Sequence, residues 1–282
     1  IAHGVHHGKH ITIQEVFEAV GAHSAGKIDD AELLQVEKDA CPGAGACGGQ
    51  FTANTMAMVL TFLGLSPLGE NDIPATHPDK PKSAERCGER VMQLLRDGGP
   101  TPRQLLSLAA LRNAARAVSA TAGSTNAALH LLAIAHEAGV KFDLEEFEAA
   151  SANTPVIADL KPGGRYTAAE MFDFGGTALV VQALMAAGLI EDIPSVAGRS
   201  FFADANAATT SPTQDVVRPV GTPLKPRGGY SILYGDLAPE GCIVKLAGHG
   251  REKHSGPARV FDSEEAAFAA VQARQIVAGD VV

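Results

Sequence analysis

Among the 282 residues there is no tryptophan, only three tyrosines and four cysteines, and 23 basic side chains stand against 32 acidic ones. The deficit of positive charge, a formal net charge of −9, excludes a surface built to neutralise phosphodiesters or anionic lipid, so neither nucleic acid nor membrane is expected as a partner. No window approaches the roughly 18 uninterrupted apolar residues of a membrane span, and no basic stretch followed by an apolar run opens the chain. Four cysteines are too few for a secreted disulfide scaffold, and none sits in a C-x-x-C pair, so a reducing compartment is expected. Cys87 and Cys242 stand alone and read as small buried hydrophobes. An initiator methionine is also missing: the sequence opens at Ile1 and closes on Asp280-Val281-Val282, which reads as a strand cut in mid-course and predicts a fragment.

What is present is enough for a large core. Hydrophobic residues make up 45% and charged residues 20% of a length suited to one large domain or two ordinary ones. Thr12 and Glu15 form a capping pair ahead of Ile13, Val16, Phe17 and Val20, which predicts a helix over 12–20 closed by Gly21. Further helices are predicted at 29–38, 51–63, 83–97, 102–118 and 125–138, the last ended by Gly139. Residues 156–158 suit a short strand, Thr167 with Glu170 caps a helix reaching Gly188, and 193–197 suits another strand. From about Asp204 to Pro226 small and turn residues dominate, and β-type runs follow at 230–234, 242–247 and 259–261. The change of texture predicts an α/β domain over residues 1–204 and the start of a β-rich domain over 205–282.

The densest chemical signal is Cys41-Pro42-Gly43-Ala44-Gly45-Ala46-Cys47-Gly48-Gly49, followed by Gln50-Phe51-Thr52-Ala53-Asn54-Thr55-Met56. Gly43, Gly45 and Gly48 satisfy the spacing of a dinucleotide-binding turn, with Glu70 or Asp72 at about the distance of a ribose carboxylate, but that turn needs a strand before it and 31–39 has helical spacing. The same segment suits a metal loop, in which glycines bring backbone close to a cluster and amides stabilise thiolate. It equally suits a tight turn carrying two buried thiols.

The run from Cys41 to Met56, with Leu63 to Gly69, Gly123-Ser124-Thr125-Asn126, Thr154 to Gly164 and Tyr234 to Gly241, closely resembles the dihydroxy-acid and sugar-acid dehydratase family, in the family's order and over essentially the whole chain. The resemblance implies an α/β N-terminal domain and a barrel-like C-terminal one, each incomplete here, with the active site between them. It also implies a cytoplasmic enzyme, or a plastid or mitochondrial one in a eukaryote, that is a homodimer when full-length. The cofactors it implies are an iron–sulfur cluster, [2Fe-2S] or [4Fe-4S], held by three cysteines, and a neighbouring Mg2+. By that resemblance Cys47 is a cluster ligand, and Cys41 lies beside the cluster at most. The family's other cysteines, its C-D-K motif and its T-D-G-R-x-S motif with the serine base do not occur between Ile1 and Val282, so no catalytic residue is expected in this chain and the isolated chain is expected to be inactive.

The implied reaction dehydrates a 2,3-dihydroxy-3-methyl acid to a 2-oxo acid in branched-chain amino-acid synthesis. Removing a proton beside a carboxylate and expelling hydroxide calls for a cation on the enediolate and a Lewis acid on the leaving oxygen. A sugar acid is the alternative substrate of the same family, and a nicotinamide oxidoreductase the alternative from another class. Ser124, Thr125 and Asn126 stand where a helix begins, suited either to a substrate carboxylate or to ordinary capping. Ala122 replaces the glycine usual before that motif. Lys161 to Arg165 reads as an anion site or an exposed basic turn, and His3, His6, His7 and His10 as adventitious metal ligands or a solvated loop.

Overall fold

Local sequence signals decide most of the element boundaries in the computed structural model, which describes residues 3–246 and 253–282. A short antiparallel hairpin, β1 (Gly4–His6) with β2 (Lys9–Ile11), leads into α1 (Ile13–Ser24), whose N-terminus is closed by the reciprocal Thr12–Glu15 capping box. Gly21 does not end α1, which continues to Ser24, about a turn beyond the expected stop. The inner stripe of α1 centres on Val16 and Ala19, which pack on Leu33, Val36 and Ala40 of α2 (Asp30–Ala40). Phe17, rotated off that stripe, is exposed.

The principal core forms around α6 (Leu108–Ala120), in which Ala110, Leu111, Ala114, Ala115, Ala117 and Val118 are all buried. Its small side chains let neighbouring helices approach closely. Against it lie α3 (Thr52–Phe62), through Met58, Val59 and Phe62, together with α7 (Asn126–Ala138) and α8 (Leu144–Ala152). The exposed α4 (Lys80–Asp97) and the single turn α5 (Pro102–Leu105) precede α6. One helix was expected over 102–118, but Leu106 leaves the helical region and the Ser107 hydroxyl caps the Ala110 amide, which starts α6 afresh.

The helix expected from Thr167 to Gly188 is likewise two: α9 (Ala168–Phe174) and α10 (Thr177–Ala186). Gly175 and Gly176 have φ of 129° and 61°, conformations that side chains of L-residues rarely adopt, so the ladder breaks between them. The buried Asp72 carboxylate then takes over the N-terminus of α10, accepting from the Thr177 amide (2.8 Å) and hydroxyl (2.6 Å). The helices α8, α11 (Phe201–Ala207) and α12 (Glu264–Gln272) were not anticipated, although Asp143, Ser200 and Ser263 each cap one.

The segment beyond residue 205 packs onto the same core. Val216, Val217 and Tyr230 are buried there, and isolated bridges join Val156 to Lys225 and Ala158 to Val217. Of the expected β-type runs, 230–234 and 242–247 become the hairpin β3 (Tyr230–Gly235) and β4 (Ala238–Lys245), Ala247 lying outside the described residues. Residues 156–158 and 193–197 reduce to isolated bridges, and 259–261 forms no strand, the neighbouring bridge being Ala258 with Val281. The chain is therefore mixed α/β, helix-rich first and β-hairpin later, with no closed barrel among the described residues. Cys87 and Cys242 are exposed rather than buried, because α4 turns its Cys87 face, and β4 its Cys242 position, to solvent.

A methyl group at Gly176 would stand 2.4 Å from Asp72 Oδ2 at φ 61°. Gly176→Ala is expected to cost about 2 kcal/mol or more, seen as a lower urea midpoint; an unchanged midpoint contradicts this account of the α9–α10 break.

Candidate functional site

The cysteine- and glycine-rich segment leaves the C-terminus of α2 at Cys41 and runs to Phe51, the N-cap of α3. A helix, not a strand, therefore precedes the glycines. Neither acidic candidate for a ribose is available either: Glu70 forms a two-pronged ion pair with Arg86, and Asp72 caps α10. The nicotinamide reading is overturned on both counts.

Backbone hydrogen bonds fix the second half of the loop. The Gly48 carbonyl accepts from the Ala168 amide (2.7 Å) and the Gln50 amide donates to the Lys161 carbonyl (2.7 Å). From inside, Asn54 Nδ2 donates to the carbonyls of Cys47 (2.9 Å) and Gly49 (2.6 Å). Cys47 is thus presented half-buried on an immobilised backbone, whereas Cys41 is exposed. Burial pushes the Cys47 thiol up, a backbone hydrogen bond draws it part of the way back, and the nearby Cys41 adds to the rise.

The turn before α7 is fastened to the same helix. Thr55 Oγ1 accepts from the Ser124 amide (3.0 Å) and lies against Gly123, where a Cβ would come within 2.7 Å of it. Thr52 Oγ1 meets Ser124 Oγ at 2.9 Å and accepts from Asn126 Nδ2 at 3.0 Å. On the far side the Tyr230 hydroxyl donates to the Gly123 carbonyl, so β3 also holds this turn. Ala122 has φ 44°, which glycine adopts freely; here an alanine is held in it at a cost of about 1 kcal/mol.

The structure therefore brings Cys47 and the Ser124-Thr125-Asn126 turn to neighbouring positions around the first turn of α3. The helix-start amides are not open, however: Asn126 N donates to Ser124 Oγ, and Ala127 N and Ala128 N donate to the carbonyls of Ser124 and Thr125. What the turn offers a ligand is hydroxyl and carboxamide chemistry. A small cavity of about 30 Å³ behind Asn54, lined by Met58, Asp72 and Thr177 among others, has room for a water but not for an organic acid. No spacing rule marks the connecting residues Thr52, Asn54 and Thr55 as functional. Their signal is three polar side chains crowded into the first turn of an otherwise buried helix.

The basic turn is neutralised locally. Lys161 pairs with Glu15, and Arg165 with Asp159 and Asp215, so both cations of the basic turn are already committed and its anion-site reading loses its basis. The four histidines divide into two pairs. His3 and His10 stack with ring centroids 3.9 Å apart and reach Thr167 and Glu170, while His6 and His7 face α2.

A three-cysteine cluster does not fit the donors present. The loop supplies one half-buried thiol and one exposed one, while Cys87 lies on α4 and Cys242 on β4. Cys47 suits one position of such a ligand set and no more.

Residues 1–204 match the profile of the dihydroxy-acid/6-phosphogluconate dehydratase N-terminal domain, and residues 215–282 that of the C-terminal domain. Over its full length the chain is 52% identical to a protein of Koribacter versatilis named dihydroxy-acid dehydratase, of which it covers 49%. It is 50% identical over 284 residues to one of Thermus thermophilus with the same name, of which it covers 51%. The chain spans about half the length of the curated relatives it matches. With the glycine-rich Cys47 loop, the Ser124-Thr125-Asn126 turn and both domain profiles in one chain, this protein belongs to the dihydroxy-acid/6-phosphogluconate dehydratase family.

Proposed function

We propose that the whole protein containing this chain is a hydro-lyase that converts 2,3-dihydroxy-3-methyl acids to 2-oxo acids in branched-chain amino-acid synthesis. The observation that carries this is near-50% identity over the complete chain to relatives named dihydroxy-acid dehydratase, which also favours a dihydroxy acid over a sugar acid. In this reading Cys47 contributes one thiolate to an iron–sulfur cluster whose remaining ligands, and those of a Mg2+, lie outside the chain. Ser124, Thr125 and Asn126 contact the polar end of the substrate through their side chains. We read the two units as meeting near residue 205, the active protein as a cytoplasmic homodimer, and the 282-residue chain alone as inactive. Among the described residues no helix is long and apolar enough to cross a membrane.

The test is anaerobic purification of the full-length protein with assay on 2,3-dihydroxyisovalerate and on an aldonate. Turnover of the dihydroxy acid is expected; iron and sulfide without it would remove the substrate assignment. Cys47→Ser should lower both cluster iron and turnover, the latter by at least about 100-fold, and wild-type iron content in that variant contradicts the ligand role. In the 282-residue chain at pH 7.5, iodoacetamide should alkylate exposed Cys41 before Cys47, because burial disfavours the reactive thiolate. Peptide mass spectrometry reads the order, and faster labelling of Cys47 contradicts the geometry described for the loop.

A further inference from the structure

The β1–β2 hairpin turns through His7 and Gly8, both left-handed with φ of 47° and 75°. This is the two-residue turn that matches strand twist, but a histidine in its first position is held against its preference. The turn aims His6 and His7 at α2, where Glu32, Gln35 and Asp39 follow one another at spacings of three and four and so share one face. Backbone contact fixes the approach: a Cβ on Gly4 would stand 1.7 Å from the Asp39 carbonyl oxygen, so the hairpin rests on the last turn of α2.

Both imidazoles converge on one carboxylate oxygen. His6 Nε2 lies 3.1 Å and His7 Nε2 3.2 Å from Glu32 Oε1, and the three donor atoms fall within 4.8 Å of one another. A tetrahedral ion with bonds of about 2.0 Å holds its ligand atoms roughly 3.3 Å apart, so two edges of such a site are already at length. Behind His6, Nδ1 is 2.8 Å from Asp39 Oδ2, and Asp39 Oδ1 accepts from Gln35 Nε2 at 2.8 Å. A carboxylate behind a histidine fixes its tautomer and leaves Nε2 as the ligand atom, the arrangement found behind metal-binding histidines.

We propose that His6, His7 and Glu32 form a binding site for a divalent transition-metal ion of the zinc class, with Asp39 as the residue that orients His6. Two imidazoles and a carboxylate select zinc, nickel or copper over magnesium, which separates this site from an iron–sulfur cluster or Mg2+. His7 is exposed and His6 nearly covered, 74% and 13% by side chain, so the site opens to solvent on one side and leaves a fourth position for water. His6 has a carboxylate on each ring nitrogen, and the Asp39 and then the Glu32 hydrogen bond raise its pKa above the ordinary histidine value. A bound ion staples the hairpin to α2, whose end leads directly into Cys41.

The proposal does not depend on the dehydratase reading, and its test uses the 282-residue chain with Cys41→Ser and Cys47→Ser substituted, so that thiols cannot contribute. Zn2+ titrated against a chromophoric chelator should bind at one equivalent. His7→Asn, which keeps a residue tolerant of the left-handed turn, and Glu32→Gln should each weaken binding at least about 10-fold. Asp39→Asn should weaken binding within about 10- to 100-fold and also lower the His6 titration midpoint followed by NMR in the metal-free chain. Co2+ should give d–d bands whose intensity fails in His7→Asn. Equal affinity of His7→Asn and the parent, or no stoichiometric Zn2+ binding, overturns the site.

Discussion

One buried hydroxyl connects the two segments on which the functional reading depends. Thr55 Oγ1 donates to the Gln50 carbonyl at 3.4 Å and accepts from the Ser124 amide at 3.0 Å, so the end of the Cys47 loop and the turn before α7 share a single side chain, itself 1% exposed. Around it the pattern repeats. Asn54 holds the Cys47 and Gly49 carbonyls, Thr52 holds Ser124 and Asn126, and Gln50 Nε2 reaches Thr121 at the end of α6 at 3.4 Å. Each bond contributes only about 1 kcal/mol net, yet leaving its buried partner unmet costs about 1–3 kcal/mol, so the set defines a geometry more than it adds stability. Gly123 follows from the same constraint, since only hydrogen in place of a side chain lets the turn sit against Thr55.

This arrangement explains why the helices around it are rich in alanine. The first turn of α3 can serve two loops only if its remaining turns are anchored, and Met58, Val59 and Phe62 are anchored against the small-residue face of α6. Charge is disposed accordingly. The cations of the adjoining turn, Lys161 and Arg165, are consumed by Glu15, Asp159 and Asp215, pinning the 160–166 turn that supplies the Gln50 amide with its acceptor. The hydrogen bonds that hold the Cys47 loop come from backbone amides and the neutral Asn54 side chain.

The helices with strong caps, such as Thr12–Glu15 and Thr167–Glu170, were legible in the sequence because capping is a local interaction. Breaks inside apparent helices were not. Ser107 restarts a helix where the apolar period runs on unbroken, and Gly175-Gly176 needs the distant Asp72 to become a helix start. The Cys47 loop and the 124–126 turn were recognisable as chemistry-bearing segments, but their adjacency runs through Thr52 and Thr55, separated from Ser124 by about seventy positions, and no spacing rule reaches that far. The histidines illustrate the converse. Four of them within the first ten residues look like one cluster, yet the pleat puts His6 on the α2 side and His10 on the other, where His3 and His10 meet Thr167 and Glu170, while the left-handed turn carries His7 to α2.

The claim that Thr55 couples the two segments is tested most directly by amide hydrogen exchange on the isosteric variant Thr55→Val. With the hydroxyl gone and the packing kept, exchange should accelerate together over residues 47–51 and 123–126, while α6, whose core contacts are untouched, keeps its protection relative to global stability. Unchanged protection at Ser124 and around Gln50, or a uniform loss that includes α6, contradicts the account.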